Sequence, residues 1–228
     1  MPQVEIEDRT LPAASTATTG EHDTDQPALP MDHVPLFPAS LDTALAQAAI
    51  WARAGWALPI AVNLSARNLA DHHLPEQVAK LLAAHQVPAE LLQLEVTETA
   101  VIADPTRAQH VLQQLSDLGI GISLDDFGAG YTSLGQLKTL PISELKIDRS
   151  FITTMTEDHS NTLIVRSVIG LGHALGLTIV AEGVENQHTL TALAAYGCDI
   201  AQGYHHTRPL TAANFTTWCT NHRTPALT

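Results

Sequence analysis

The chain has 228 residues, enough for one large domain, and 45% of them are hydrophobic, so a sizeable core can be buried. Its formal net charge at pH 7 is −13, and the first 42 residues carry eight acidic side chains against one basic side chain. Non-specific binding to nucleic acid or to an anionic membrane needs clustered Lys and Arg, so this charge balance argues against both partners.

Residues 1–32 form an acidic segment without a regular apolar period. Residues 10–32 are rich in Thr, Ala, Pro, Ser and Asp. Such a composition cannot bury enough apolar surface to offset the entropy lost on ordering, so the segment is predicted to be disordered. The folded domain is then predicted to cover residues 33–222, with a short tail at 223–228.

Beyond this segment, predicted helices and strands alternate. A first helix is predicted from about residue 39 to Gly55, which suits the left-handed position after a helix. Short apolar segments that end in polar residues are the predicted strands, at 59–65, 91–98, 120–128, 144–148, 177–183 and 199–204. Further helices are predicted near 75–86, 105–118, 133–139, 161–175, 187–196 and 211–221.

This alternation predicts an α/β fold with a parallel sheet that helices cover on both faces. Local signals support the helix boundaries, since Asp104 and Pro105 suit the first positions of a helix. Gly119, Gly176 and Gly197 each suit the left-handed residue of a tight turn from a helix to a strand. Six repeated units favour a TIM-like barrel, and a doubly wound open sheet is the alternative.

Polar side chains lie at or just beyond the carboxyl end of every predicted strand. They are Asn63, Glu95 with Glu98, Asp125 with Asp126, Lys146 with Asp148, Glu182 with Glu185, and Gln202. In a barrel the carboxyl ends of all strands meet on one face, so these side chains would share a pocket. Crowded carboxylates need a compensating cation, and their oxygen atoms favour Mg²⁺ or Mn²⁺ over zinc. The alternative is that each acid only caps the helix that follows it.

A carboxylate site with paired metal ions suits the hydrolysis of a phosphodiester, and Lys146 would add a positive charge beside the phosphate or the attacking water. The segment DDFGAGYTSL places Gly128 and Gly130 directly after the two Asp residues. Glycines there allow unusual backbone angles and predict a mobile active-site loop, with an ordinary turn as the alternative.

Six segments occur in the order seen in EAL domains. They are AVNLSARNL, LEVTETAV, DDFGAGYTSL, LPISELKIDRSFI, IVAEGVEN and GCDIAQGYHHTRPL, and the resemblance runs from about residue 33 to 218. The chain therefore resembles the EAL domain family. The resemblance implies a TIM-like barrel with one antiparallel strand. It also implies hydrolysis of the bacterial second messenger cyclic di-GMP to linear pGpG with Mg²⁺ or Mn²⁺, in a signalling role.

The same resemblance assigns roles to the polar residues. Asn63, Glu95 and Asp125 are similar to ligands of one metal ion, and Asp126 is similar to a ligand of the second. Lys146 matches the lysine that contacts the attacking water, and Glu182 matches an acid at the metal site with a proton-transfer role.

The remaining assignments lie around the substrate and the loop. Glu98 resembles the acid that anchors the glycine-rich loop of Gly128 and Gly130, while Gln202 and Asp148 fall near the substrate. The sequence has no membrane-length apolar stretch and no signal-peptide pattern, which favours a cytoplasmic protein. Members of the family often pair with a second copy, so a homodimer is a further expectation.

The chain departs from the family at its start, where no E-A-L motif is found. Alignment without gaps places Glu5 and Arg9, within VEIEDR, where the family has a metal-ligating Glu and an Arg. We therefore expect the first strand or strands of the barrel to be missing or degenerate, as in a shortened domain. Two activities stay open: an active phosphodiesterase, or a catalytically impaired domain that binds cyclic di-GMP or a protein partner.

Overall fold

Seven parallel strands make up the sheet of this computed structural model, which describes residues 4–5, 36–128 and 134–221. The strands are β1 (Val4–Glu5), β2 (Ile60–Leu64), β3 (Leu92–Thr97), β4 (Gly121–Phe127), β5 (Glu144–Ile147), β6 (Thr178–Ala181) and β7 (Ile200–Ala201). Within the same residues the helices are α1 (Leu36–Arg53), α2 (Ala66–Leu69), α3 (Leu74–His85), α4 (Glu98–Ala103), α5 (Pro105–Asp117), α6 (Leu134–Thr139), α7 (Arg149–Thr154), α8 (His159–Ala174), α9 (Gln187–Tyr196) and α10 (Ala212–Asn221). A short 3₁₀ helix, Ala89–Leu91, precedes β3.

The strands lie side by side in chain order from β1 to β7, and every neighbouring pair is parallel. A doubly wound sheet reverses its strand order at a switch point, whereas a barrel keeps one direction of winding. The unbroken order confirms the predicted TIM-like barrel, but the antiparallel strand that the resemblance implied is not among the described strands. Within the described residues no ladder joins β7 to β1, so the barrel is incomplete there, as predicted.

All six predicted strands are present. Five lie within two residues of their predicted bounds, and β7 is much shorter than the predicted 199–204. The helices α2, α4 and α7 and the 3₁₀ helix were not predicted, because each is six residues or shorter and shows no apolar period. Capping signals do mark three of them. The side chains of Ser65, Thr97 and Asp148 cap α2, α4 and α7, respectively.

Aliphatic side chains from the strands and the inner faces of the helices form the core. An aromatic contact joins the two ends of the helical layer. The Trp51 indole N–H in α1 donates to the Thr216 hydroxyl in α10 at 2.9 Å, and the Trp51 ring lies 5.4 Å from that of Phe215. The first and last long helices therefore pack together.

The predicted turns have the expected backbone. Gly119, Gly176 and Gly197 have φ values of 86°, 76° and 81°, a region that favours glycine. The Asp104 carboxylate accepts from the Arg107 backbone N–H at 3.2 Å, so the predicted helix start is confirmed.

The predicted disordered segment 1–32 lies outside the described residues except for Val4–Glu5, which forms β1 rather than disordered chain. The predicted tail at 223–228 also lies outside them. The domain boundaries therefore stay a prediction. In the described part of the chain, no helix is both long enough and apolar enough to cross a membrane.

Asp199, directly before β7, links β6 to α8. Its Oδ2 atom accepts from the Ile179 backbone N–H at 2.8 Å and lies 2.9 Å from His173 Nε2. Burial acts to raise the pKa of Asp199, but the bonds from Ile179 and His173 outweigh it and lower the pKa. The ionised form therefore stabilises the fold at any pH above about 3.8, the ordinary pKa of an Asp side chain. This contribution disappears as the pH falls through the lowered folded-state pKa.

We expect Asp199→Asn to lower the free energy of unfolding by about 1 kcal/mol at neutral pH. Because the ionised carboxylate loses its advantage in acid, the difference from the unsubstituted chain should shrink below pH 3.8. Urea unfolding followed by circular dichroism at several pH values measures this. Glu157→Gln, at an exposed position, is the control. A difference that grows in acid would contradict the assignment.

Candidate functional site

One buried lysine stands at the centre of the acidic strand ends. The Lys146 Nζ atom, on β5, lies 2.6 Å from Glu182 Oε1, 3.0 Å from Glu95 Oε1 and 3.5 Å from Asp125 Oδ1. The Lys146 side chain is 1% exposed and that of Glu95 is 3% exposed. Residues from β3, β4 and β5 and from the end of β6 thus meet at one point, as the strand-end pattern predicted.

The charge of Lys146 is fixed by its surroundings. Burial by itself would lower the pKa of the ammonium group, but Glu95, Glu182 and Asp125 outweigh burial and raise that pKa above its ordinary value. The lysine therefore stays protonated and compensates part of the negative charge around it.

A β-bulge explains how two consecutive acids, Asp125 and Asp126, belong to the same site. The ladder between β4 and β5 is interrupted between Leu124 and Phe127, so two residues of β4 stand opposite the single residue Lys146 of β5. Asp126 has a left-handed φ of 55°, and its backbone N–H donates to Asp125 Oδ1 at 2.9 Å. Neighbouring side chains of a regular strand point to opposite faces, and the bulge removes that alternation.

The bulge and the end of β6 form a cluster of carboxylates. Ligand oxygens of Asp125, Asp126 and Glu182 all lie within 4.8 Å of one another. Burial raises the pKa of Asp126, and the neighbouring carboxylates of Asp125 and Asp148 raise it further. Negative charge is thus in excess despite Lys146. Hard oxygen donors with uncompensated charge fit a divalent cation such as Mg²⁺ or Mn²⁺.

Other predicted site residues lie around this cluster. Asn63 pairs with Glu95 in the β2–β3 register, but its side chain is exposed. Asp148 follows β5 and accepts from the Ser150 backbone N–H at 2.8 Å. Gln202 follows β7, and its backbone N–H donates to the Ala181 carbonyl at 2.9 Å.

Glu98 is the first residue of α4 rather than the last of a strand, and it is buried. Its Oε2 atom accepts from the Gly128 backbone N–H at 3.4 Å, which connects α4 to the start of the glycine-rich loop. Gly128 has a φ of 101°, and an added Cβ would lie 2.8 Å from the Phe151 ring. Gly130, the second predicted loop glycine, lies outside the described residues.

The site residues follow a regular stagger from strand to strand. Asn63 and Glu95 are paired, and Asp125 stands two residues beyond the partner of Glu95. Lys146 stands opposite the bulge of Asp125 and Asp126, and Glu182 stands two residues beyond the partner of Lys146. The shift between site residues on neighbouring strands therefore alternates between zero and two residues. Its average is one residue per strand, the shift that a closed barrel of tilted strands requires.

The backbone of β1 continues this stagger. Glu5 pairs with Ala61, two residues before Asn63. The shift from Glu5 on β1 to Asn63 on β2 is therefore two residues, as the alternation requires. Glu5 thus has the register position of a site residue. Its sequence position and its backbone register agree.

The sequence did not single out the polar pair directly beneath the site. Ser123 and Glu144 stand two residues before Asp125 and Lys146, on the same face of β4 and β5, and both are buried. The signal was present, because residues i and i+2 of a strand share a face. Glu144 lies at the start of a strand rather than at its carboxyl end.

Comparison with known families places most of the chain in one group. The family model described as EAL domain matches residues 33–209. The bifunctional diguanylate cyclase/cyclic di-GMP phosphodiesterase MucR of Pseudomonas aeruginosa is 44% identical over 173 residues, 75% of this chain and 25% of MucR. The cyclic di-GMP phosphodiesterase RocR of the same organism is 36% identical over 168 residues, 74% of this chain and 43% of RocR. The chain thus spans less than half the length of either relative.

Solved structures give the same result for the fold. The PaMucR phosphodiesterase in complex with c-di-GMP is 42% identical with a TM-score of 0.76, over 80% of this chain and 74% of that chain. The EAL domain of Mycobacterium smegmatis DcpA is 34% identical with a TM-score of 0.79, over 84% of this chain and 86% of that chain.

Proposed function

The chain belongs to the EAL domain family, and we propose that it is a phosphodiesterase that hydrolyses cyclic di-GMP to linear pGpG. The observation that carries the proposal is the meeting of Lys146 with Glu95, Asp125 and Glu182 at the carboxyl ends of the strands. Capping of helices alone would not need a buried ammonium group shared by three strand-end acids.

Each residue of the cluster has a proposed task. Asn63, Glu95 and Asp125 would hold one divalent cation, and Asp126 would hold a second. Bound Mg²⁺ or Mn²⁺ would supply a lowered pKa for a coordinated water and neutralise charge on the phosphate.

Lys146 and Glu182 would act on the attacking water. Because the raised pKa of Lys146 keeps it charged, its ammonium group would orient the water. Glu182 is 17% exposed, which leaves it accessible to take the proton that the water releases. Glu98 would hold the glycine-rich loop through Gly128, and Gln202 and Asp148 would lie on the substrate side.

The direct test is turnover by the purified chain. We expect conversion of cyclic di-GMP to pGpG with Mn²⁺ or Mg²⁺ and no conversion after treatment with EDTA, because the carboxylates alone cannot activate water. Chromatography of the nucleotides measures both. Absence of turnover at saturating Mn²⁺ would reject the enzymatic proposal.

The second candidate function is binding without hydrolysis, and the missing E-A-L motif favours it. Titration calorimetry with cyclic di-GMP separates the two functions, because a binding module would release heat on binding and produce no pGpG. Pairing of two copies is a further prediction, which analytical ultracentrifugation tests.

Glu5 decides between these functions, since its backbone register suits a ligand. If Glu5 replaces the E-A-L glutamate, Glu5→Gln should raise the Mn²⁺ concentration for half-maximal turnover at least tenfold, roughly the loss seen when groups around a metal are removed. Activity measured against Mn²⁺ concentration gives this value. Glu7→Gln, the same change two residues later, is the control and should have no effect. Equal behaviour of both variants would remove Glu5 from the site.

A further inference from the structure

A polar pair lies inside the barrel, directly under the candidate site. The Ser123 hydroxyl on β4 donates to Glu144 Oε1 on β5 at 2.8 Å. The two residues are partners in the β4–β5 ladder, and Ser123 is 0% exposed and Glu144 6% exposed. The bond therefore connects two neighbouring strands in the interior.

Burying two polar side chains costs free energy, so the presence of this pair in the interior points to a functional role. Barrel interiors are filled mainly by branched apolar side chains, and a buried carboxyl group is stable only when it has hydrogen-bond partners. Burial raises the pKa of Glu144, and the Ser123 hydroxyl, the Lys146 charge and a hydrogen bond from the Gln93 side chain oppose that rise. An apolar pair would fill the same layer without this penalty, so the bond is expected to serve the site above it.

The position of the pair shows what it can serve. Ser123–Glu144 and Leu124–Leu145 are the last regular ladder partners before the bulge, and pairing resumes only at Phe127–Ile147. The interval contains Asp125 and Asp126, so their part of β4 lacks the regular ladder to β5. A side-chain bond between the same two strands lies at the base of this interval.

We propose that the Ser123–Glu144 hydrogen bond is a positioning device that fixes the bulge and so keeps the Asp125 and Asp126 carboxylates directed at the same cations. Neither residue touches the reacting atoms, so both act through the bulge. The inference rests on the proposed function for the purpose of the carboxylates, but the geometry of the bulge can be tested without turnover.

The first test is Mn²⁺ affinity by titration calorimetry on the folded chain. Ser123→Ala removes the donor on β4 and should weaken Mn²⁺ binding about tenfold, the lower end of losses seen when groups that orient metal ligands are removed. Glu144→Gln keeps an oxygen acceptor for Ser123 and should bind Mn²⁺ within about twofold of the unsubstituted chain.

The matched control is Ser143→Ala. The Ser143 hydroxyl donates to the Ile122 carbonyl at 3.2 Å, so it bridges the same part of the sheet, but at the end away from the bulge. This variant should keep its Mn²⁺ affinity. Equal weakening in Ser143→Ala and Ser123→Ala, or unchanged affinity in Ser123→Ala, would overturn the proposal.

The second test needs no metal. Amide hydrogen exchange at Asp126 and Phe127 should become about tenfold faster in Ser123→Ala and stay unchanged in Ser143→Ala, because only the former loosens the bulge. A chain that shows this exchange pattern but no hydrolysis would reject the proposed function and retain the positioning role. Unchanged exchange would reject the positioning role even in an active enzyme.

Discussion

Asp125→Asn should reduce the turnover of cyclic di-GMP by about a thousandfold or more, because it removes a charged metal ligand. Changes to groups that only support metal ligands already reduce metal affinity or activity by about 10- to 100-fold. Asn has nearly the same size as Asp and keeps an oxygen that can accept the bond from the Asp126 backbone N–H. The bulge should therefore persist, and the loss would come from the missing charge. Initial rates at saturating Mn²⁺ measure the effect.

A matched substitution separates this charge effect from general damage. Asp117→Asn makes the same change at an exposed position in α5, where the carboxylate accepts a hydrogen bond from the Gln113 side chain of the same helix. Its turnover should equal that of the unsubstituted chain. If Asp125→Asn kept more than a tenth of the activity, Asp125 would not be a ligand, and the acidic cluster would need another explanation.

The convergence of the site could be predicted from sequence because it depends only on strand direction. Glu95, Asp125 and Lys146 belong to successive parallel strands, and the carboxyl ends of such strands must meet on one face. Apolar runs that end in polar residues mark those ends. No information on the packing of side chains was needed.

The bulge could not be predicted in the same way. The letters DD in a strand are compatible with side chains on opposite faces, which is the regular arrangement. The interrupted register depends on which residue of β5 pairs with Phe127, here Ile147. Such pairing joins residues that are distant in sequence, and no local pattern encodes it.

The position of single side chains at the mouth also depends on the surrounding chain. Asn63 shares a register row with buried Glu95 but is exposed, because it lies on β2, next to the two-residue strand β1. Glu98 was expected at a strand end, yet the Thr97 side chain caps a helix there and turns Glu98 into its first residue. In both cases neighbouring structure decides the environment of a residue whose type and place in the chain were already known.

Lys146→Met should reduce the free energy of unfolding by about 3–5 kcal/mol at neutral pH, because removing one partner leaves buried charges without compensation. Met fills most of the space of the lysine stem, so little of the loss would come from a cavity. Glu95, Asp125 and Glu182 would then face one another without the ammonium group that now lies within 3.5 Å of each. Urea unfolding in the presence of EDTA measures the loss.

The exposed pair in α3 provides the control for Lys146→Met. Lys80 Nζ lies 2.8 Å from Glu76 Oε1, but both side chains are well exposed, so Lys80→Met should cost less than about 1 kcal/mol. Mn²⁺ should stabilise Lys146→Met more than the unsubstituted chain, because the cation would then supply compensation that the lysine no longer provides. Equal costs for the two substitutions, or no added gain from Mn²⁺, would mean that the carboxylates around Lys146 do not depend on positive charge. That result would remove the physical basis for a metal site at the mouth of this barrel.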